Sequence, residues 1–355
     1  MTISPLANPL IPGFNPDPSI VRVGEDFYLA TSTFEYLPGI PIYHSRDLIN
    51  WNLIGHVVTR PGQLQLEGVP TGGSAWAPTI RHHNGLFHVA VTDAMGRGTL
   101  IFTATDPAGP WSDGLLTDVE GIDPDLAWDE QDNCYITFSG LILKGTEMGK
   151  HLGIQQARID LTTGKMLEEP RSIWSGTGLM FPEAPHLYQI GEWWYLMIAE
   201  GGTERGHSVS IARSTSPEGP WESCPANPVL SARSTIRPIQ NTGHGDLFIG
   251  PDGNWYMVLL GMRTRGMTRA FSSHGRETFI TSVEWVDGWP VVAAVQVDET
   301  NSHFDFVADF AKVKADKFPD DFSKEFISIR RTPGQVLTAV SGGLQLTGNG
   351  LGMDD

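Results

Sequence analysis

One unit of sequence recurs five times in this 355-residue chain, and that recurrence limits the fold more than any other feature. Each copy has a small polar or Pro-containing start, a short apolar run, a Gly/Asp turn and an aromatic strand. The copies read DPSIVRVGEDFYLATST from Asp17, APTIRHHNGLFHVAVTD from Ala77, DPDLAWDEQDNCYITFS from Asp123, APHLYQIGEWWYLMIAEG from Ala184 and HGDLFIGPDGNWYMVLLG from His244. Their starts lie 60, 46, 61 and 60 residues apart. Short apolar runs broken by GED, NG, DEQDN, GE and GPDGN spell β-hairpins. Behind three hairpins, SRDLINW, TATDPAGPW and ARSTSPEGPW each end on a tryptophan (Trp51, Trp111 and Trp221), as if a third strand, a turn and a Trp opening a fourth strand followed. Five copies of a four-stranded unit describe an all-β chain folded as a five-bladed β-propeller, which protects its edges by radial closure. A β-sandwich with accidental self-similarity is the alternative, and the near-constant spacing weighs against it.

The composition agrees: 11 Trp, 7 Tyr and 16 Phe beside 40 Gly and 25 Pro suit many short strands joined by tight turns. With 24 basic against 41 acidic side chains the net charge is −17, which argues against nucleic acid or an anionic membrane as partner. No apolar run approaches the ~18 residues of a membrane span. The opening MTISPLANPLIPGF lacks a basic segment followed by an apolar one, so no secretory signal is expected. That absence and the two lone cysteines, Cys134 and Cys224, favour a cytoplasmic over an extracellular protein and exclude a disulfide framework or a Cys-based zinc site.

From Phe318 onward the pattern changes to short alternating strands that belong to no repeat. The expected organisation is a propeller over residues 1–317 and, over 318–355, the beginning of a truncated C-terminal β-sandwich or strands that lie against the propeller. So short a segment cannot make an independent core.

In a propeller the first strand of each blade lines the central channel, so the repeat starts are where a site belongs. Three of them carry a carboxylate there or just before: Asp17 in NPDPS, Asp123 in GIDPD and Glu183 in FPEAPH. Carboxylates converging from different blades perturb one another's pKa values, an arrangement found mainly at functional sites. Each alone is ordinary turn chemistry, but three at equivalent repeat positions are not.

These residues bring a family into view. The chain resembles glycoside hydrolase family 43, the group of β-xylosidases and α-L-arabinofuranosidases, and within it the branch of two-domain β-xylosidases. The resemblance is carried by NPLIPGFNPDPSIVRVGEDFYLATSTFEYLPGIPIYHSRDLINW, GGSAWAPTIRHHNG, GIDPDLAWD, FPEAPHLYQIGEWWYLMIAEGGT, NTGHGDLF and GRETFITSVEW, and it covers residues 8–300. It implies exo-acting release of terminal β-1,4-linked D-xylose or α-L-arabinofuranose from xylo-oligosaccharides by inverting hydrolysis. Asp17 would be the general base that activates water, Glu183 the general acid, and Asp123 the residue that orients the acid and raises its pKa. The chemistry supports this division independently: inversion needs one ionised and one protonated carboxyl about 6.5–9.5 Å apart, and a further carboxylate disfavours ionisation of the acid. Asp125 is set aside, because strand alternation points it along a different line.

The resemblance also implies a sugar-binding set. Trp76 in SAWAP would be the aromatic wall and Phe34 in TSTFEYLPG would close the floor or rim of the terminal subsite. Arg276 in GRETF would hydrogen-bond the terminal sugar and balance the carboxylates, and Thr203 in AEGGT would border the pocket. His244 in TGHGD would lie beneath the site, directly or through water on a structural calcium near the axis; a satisfied core histidine without metal is the other reading. No cofactor is required. Implied partners are the oligosaccharide substrate and, with a complete C-terminal domain, further copies in a homo-oligomer. Trp193, Trp194 and Tyr195 read as blade core, and the adjacent His82 and His83 point to opposite faces, so they share no ion. A fructosidase-like propeller would carry an Asn-Asp-Pro-Asn-type nucleophile run, which is absent, and a non-catalytic sugar-binding propeller would need no three-carboxylate set. No Gly-rich phosphate loop is present.

Overall fold

Each of the five repeats becomes one antiparallel sheet in the computed structural model, which describes residues 6–266, 271–297 and 326–346. Blade 1 holds β1 (Ser19–Val23), β2 (Asp26–Ala30), β4 (Gly39–Ser45) and β5 (Asn52–Val58), with the short β3 (Tyr36–Leu37) outside the sheet. Blade 2 is β6 (Thr79–His83), β7 (Leu86–Asp93), β8 (Gly98–Ala104) and β9 (Leu115–Leu116). Blade 3 runs from β10 (Ile122–Trp128) through β11 (Cys134–Leu141) and β12 (His151–Asp160) to β13 (Lys165–Met166) and β14 (Arg171–Trp174). Blade 4 is β15 (Glu183–Ile190), β16 (Trp193–Glu200), β17 (Ser208–Ser214), β18 (Glu222–Ser223) and β19 (Leu230–Ser231). Blade 5 is β20 (Ile239–Ile249), β21 (Trp255–Arg263), β22 (Glu277–Val286) and β23 (Trp289–Val292). The innermost strands meet in a ring, β1 against β6, β6 against β10, β10 against β15, β15 against β20 and β20 against β1.

The turns form where local chemistry asks for them. Asn84 and Gly85, at φ 50° and 77°, supply the two left-handed residues that a tight two-residue hairpin needs. The apolar residues then bury between blades, not within them. One cluster lies between each neighbouring pair: Ile42 and Val57 meet Ile80 and Val89; Ile101 meets Ile136; Ile154 meets Leu196; Val209 meets Met257; and Phe248 meets Phe27. Trp194 and Tyr195 are buried in two of these clusters, as expected. Trp51 and Trp221 stand immediately before β5 and β18, whereas Trp111 lies ahead of β9 and is buried against blade 1. Cys134 and Cys224 are free and buried.

The ring is closed by the first segment of the chain. Ile11 bridges Thr278 of β22, Leu10 N–H donates to Thr278 O (2.8 Å), and the Asn8 amide both donates to Ile280 O (2.8 Å) and accepts from Ile280 N–H (2.9 Å). At the other end, β24 (Ser328–Ile329) pairs with β3, and Arg330 N–H donates to Glu35 O at 2.7 Å. A hairpin of β25 (Leu337–Val340) and β26 (Gly343–Leu346) follows. The expected boundary at 317/318 lies outside the described residues.

Candidate active site

The repeat starts share an unusual backbone. Asp17, Asp123, Ala184 and His244 all have left-handed φ, at 55°, 53°, 49° and 50°. Such strain persists in non-glycine residues only where the surroundings impose it, and it gathers at functional sites. In blades 3, 4 and 5 the pairing of the first strand also slips at these places, between Ile122 and Asp125, between Glu183 and His186, and on either side of Gly243. Each slip inserts one extra residue, a β-bulge that re-aims the side chains beside it. The prolines of the DPD and APH motifs, Pro124 and Pro185, sit inside the bulges, where a missing N–H costs no ladder bond.

The three carboxyl groups lie within mutual electrostatic reach, and their surroundings give them different protonation. Burial opposes the charge of Asp17, but Arg276, His244 and Ser32 outweigh it and hold its pKa below the usual carboxylate value. Arg276 Nη1 donates to Asp17 Oδ1 at 3.0 Å and Ser32 Oγ donates to Oδ2 at 2.6 Å. Glu183 moves the other way: burial first, then the charges of Asp123 and Asp17, push its pKa up to about 8. Burial leads this shift, and the charge of the third carboxylate adds to it. Asp123 is itself raised to about 7 by burial and by Asp17, and its Oδ2 accepts the Ala184 N–H at 3.0 Å. That bond ties Asp123 to the peptide that follows Glu183. The site therefore offers an ionised carboxylate and a protonated carboxyl in one pocket.

Arg276 joins more than Asp17. Its guanidinium lies over the Phe34 ring, 5.5 Å from the centroid, and Phe34 packs against Phe14 at 5.9 Å. Phe34 pairs with Ala75 in an isolated bridge, which brings the segment holding Trp76 alongside; Trp76 is half-buried and its Nε1 donates to Gly72 O at 2.7 Å. Thr203 is exposed, and its carbonyl accepts from Asn241 Nδ2 at 3.3 Å; the structure records no contact between its side chain and the carboxyl cluster.

His244 is buried with Nδ1 3.8 Å from Asp17 Oδ1, and burial drives its pKa down to about 3, so the ring is neutral. Calcium takes about six to eight oxygen ligands. Around His244 lie further imidazoles, His186 and His207, and an Asp17 already engaged by Arg276 and Ser32. Among the described residues no group of three or more His, Cys, Asp or Glu is arranged to hold a metal ion. These side chains do not fit a calcium cage, and no chemistry is routed through one.

Below the carboxyl groups runs a second layer that sequence reasoning missed. The third residue of every repeat is polar: Ser19, Thr79, Asp125, His186 and Asp246. All five are buried, and Arg81 lies at the centre of four of them. Its guanidinium meets Asp125 Oδ1 (3.0 Å), Asp246 Oδ2 (2.9 Å), Ser19 Oγ (3.3 Å) and His186 Nδ1 (2.9 Å). Tyr188 Oη donates to Asp246 Oδ1 at 2.6 Å, and Asp125 Oδ2 accepts the Leu187 N–H at 2.8 Å. Asp125 belongs to this plug, held by Arg81 and the Leu187 N–H. The signal was present in the recurring polar third position.

Comparison with known proteins then adds ancestry to geometry. The family model described as glycosyl hydrolases family 43 matches residues 6–290. The chain is 41% identical over 97% of its length to a non-reducing-end α-L-arabinofuranosidase of Bacteroides ovatus, and 41% identical over 80% to a xylosidase/arabinosidase of Butyrivibrio fibrisolvens. It spans 65% and 56% of those two proteins. A solved structure titled Bacteroides ovatus xyloglucan PUL GH43B superposes with a TM-score of 0.83 at 37% identity, over 98% of this chain and 69% of that one.

Proposed function

Because the chain belongs to family 43 of the glycosyl hydrolases, we propose that it is an exo-acting glycosidase that releases terminal pentose from xylo-oligosaccharides or their arabinosylated forms. The sugar is β-1,4-linked D-xylose or α-L-arabinofuranose, and the reaction is a single displacement with inversion. One observation carries this reading: two carboxyl groups of one pocket are driven in opposite directions, Asp17 towards the anion and Glu183 towards the neutral acid.

The steps follow from those charge states. Asp17 accepts a proton from water as the water oxygen bonds to the anomeric carbon. Glu183 gives its proton to the glycosidic oxygen as the bond to the leaving group breaks. Arg276 and Ser32 keep the base ionised, and Asp123 holds the peptide after the acid while adding to its reluctance to ionise. Trp76 and Phe34 form the apolar side of the sugar pocket. The names of the relatives, one an arabinofuranosidase and one a xylosidase/arabinosidase, support a pentose as the released sugar. Residues from 318 onward are read as the beginning of a further β-unit, a reading supported by the β25–β26 hairpin.

The test is hydrolysis of aryl β-D-xylopyranoside and aryl α-L-arabinofuranoside side by side, with Asp17→Ala and Glu183→Ala as controls. Activity on at least one substrate is expected, with a loss of about 10²–10⁴-fold on removal of either residue. Proton NMR of early product is expected to show the α-anomer from the β-xyloside. A variant at Asp17 or Glu183 that keeps wild-type rates sinks the assignment.

A further inference from the structure

The residues just before the acid are held in a way that its own role does not require. Phe181, two positions ahead of Glu183, has left-handed φ (55°), a strained state for an aromatic residue, and the residue is 37% exposed. Met180 beside it is more exposed still, at 61%, and its carbonyl accepts the Gly201 N–H at 2.6 Å. The Phe181 ring lies on Gly202, where an added Cβ would come within 3.2 Å of Phe181 Cδ2. His151 meets the ring edge-on at 6.5 Å between centroids.

A directed chain of hydrogen bonds fixes that neighbour and the segment. Gly153 N–H donates to His151 Nδ1 (3.2 Å), so Nε2 carries the proton of the neutral ring and donates to Ser139 Oγ (2.9 Å). Ser139 in turn donates to Pro182 O (3.1 Å). Burial lowers the pKa of His151, consistent with one proton on the ring. The result is a flat apolar surface, open to solvent, clamped between blades 3 and 4 next to the acid.

Inversion decides what such a surface faces. Water attacks from the side of Asp17, opposite the bond that breaks, so the leaving group lies on the side of Glu183. Phe34, Phe14 and Arg276 gather on the base side. We infer that Phe181 is the platform for the leaving sugar, holding the second residue of the oligosaccharide by its apolar face while Glu183 protonates the oxygen between the two sugars. This rests on the glycosidase reading above and adds the leaving-group side to it.

The test separates a leaving sugar from a leaving atom. For whichever pentose the wild type accepts, xylobiose is compared with β-D-xylopyranosyl fluoride, or an arabinofuranosylated xylo-oligosaccharide with α-L-arabinofuranosyl fluoride. Fluoride has no surface to rest on the ring. Phe181→Ala is expected to lower kcat/KM on the oligosaccharide about tenfold and on the fluoride less than about twofold. Phe181→Gly, which also relieves the left-handed strain, is expected to show the same split with an unchanged melting temperature. Equal losses on both substrates, or none on either, overturn the platform. A wild-type protein that cleaves neither pair overturns the glycosidase reading itself, and is recognised because no variant is needed to see it.

Discussion

Asp17 and Glu183 are the same functional group sent in opposite directions by their neighbours, and the pH profile follows from that. The proposed mechanism needs Asp17 charged and Glu183 protonated, so kcat/KM is expected to fall as pH rises past about 8, where Glu183 loses its proton. The acid limb lies below the ordinary carboxylate range, because Arg276, His244 and Ser32 hold Asp17 ionised. Asp123→Asn removes one of the charges that keep the proton on Glu183, so its alkaline limb moves to lower pH; burial, the leading cause, keeps it above the ordinary value of 4.5. Rate measurements across the pH range check this, and an unmoved alkaline limb would show that Asp123 acts through position alone. The three carboxyl groups and Arg276 were legible because each sits in a recognisable motif. Ser32 was not: a serine between two threonines just past a strand carries no mark of a hydrogen bond to residue 17.

At the level of the strand, left-handed starts, bulged in blades 3 and 4, hold those groups in place. Ala184 takes a left-handed φ of 49° between the acid and Pro185, with its N–H bound to Asp123. A side chain costs about 1–2 kcal/mol in that region, and glycine escapes it. Ala184→Gly is therefore expected to raise stability by about 1 kcal/mol in a denaturant titration while leaving kcat unchanged, once glycine's larger loss of chain entropy is counted. A destabilised variant would mean that the Ala184 methyl packs to more effect than its backbone is strained. The hairpins were legible from turn residues such as Asn84-Gly85, whose conformational needs are local. The bulges were not, because one extra residue in a strand has no side-chain signature. Simple alternation puts residues 123 and 125 on one face, so it could not have told them apart; the extra residue between Ile122 and Asp125 does, and Asp125 turns to Arg81 instead.

Across the whole molecule, every apolar cluster lies between two blades, so no blade has a core of its own. The axial plug obeys the same rule, with Ser19, Arg81, Asp125, His186 and Asp246 coming one from each blade. Arg81 is its only cation among the described residues, and two fully buried carboxylates depend on it. Arg81→Met is expected to cost about 3–5 kcal/mol, the usual penalty for leaving a buried charge without its partner. Urea unfolding measures it, and a loss under about 1 kcal/mol would show that water or a rearranged His186 replaces the guanidinium. The recurring unit made the propeller legible, because a repeat is a statement about the whole chain. The plug was not, because Ser19 and Thr79 look like ordinary strand residues until the five repeats are laid over one another.

The closing segment gives these spatial facts an order in time. Residue 17 takes its guanidinium partner from residue 276, 259 positions later, and Leu10 and Ile11 find their strand only at Thr278. Asp17 therefore leaves the ribosome well before the guanidinium that offsets its charge. On the proposed mechanism, a nascent chain still missing its fifth blade lacks the charge that keeps the base ionised, so activity is expected only once the ring has shut.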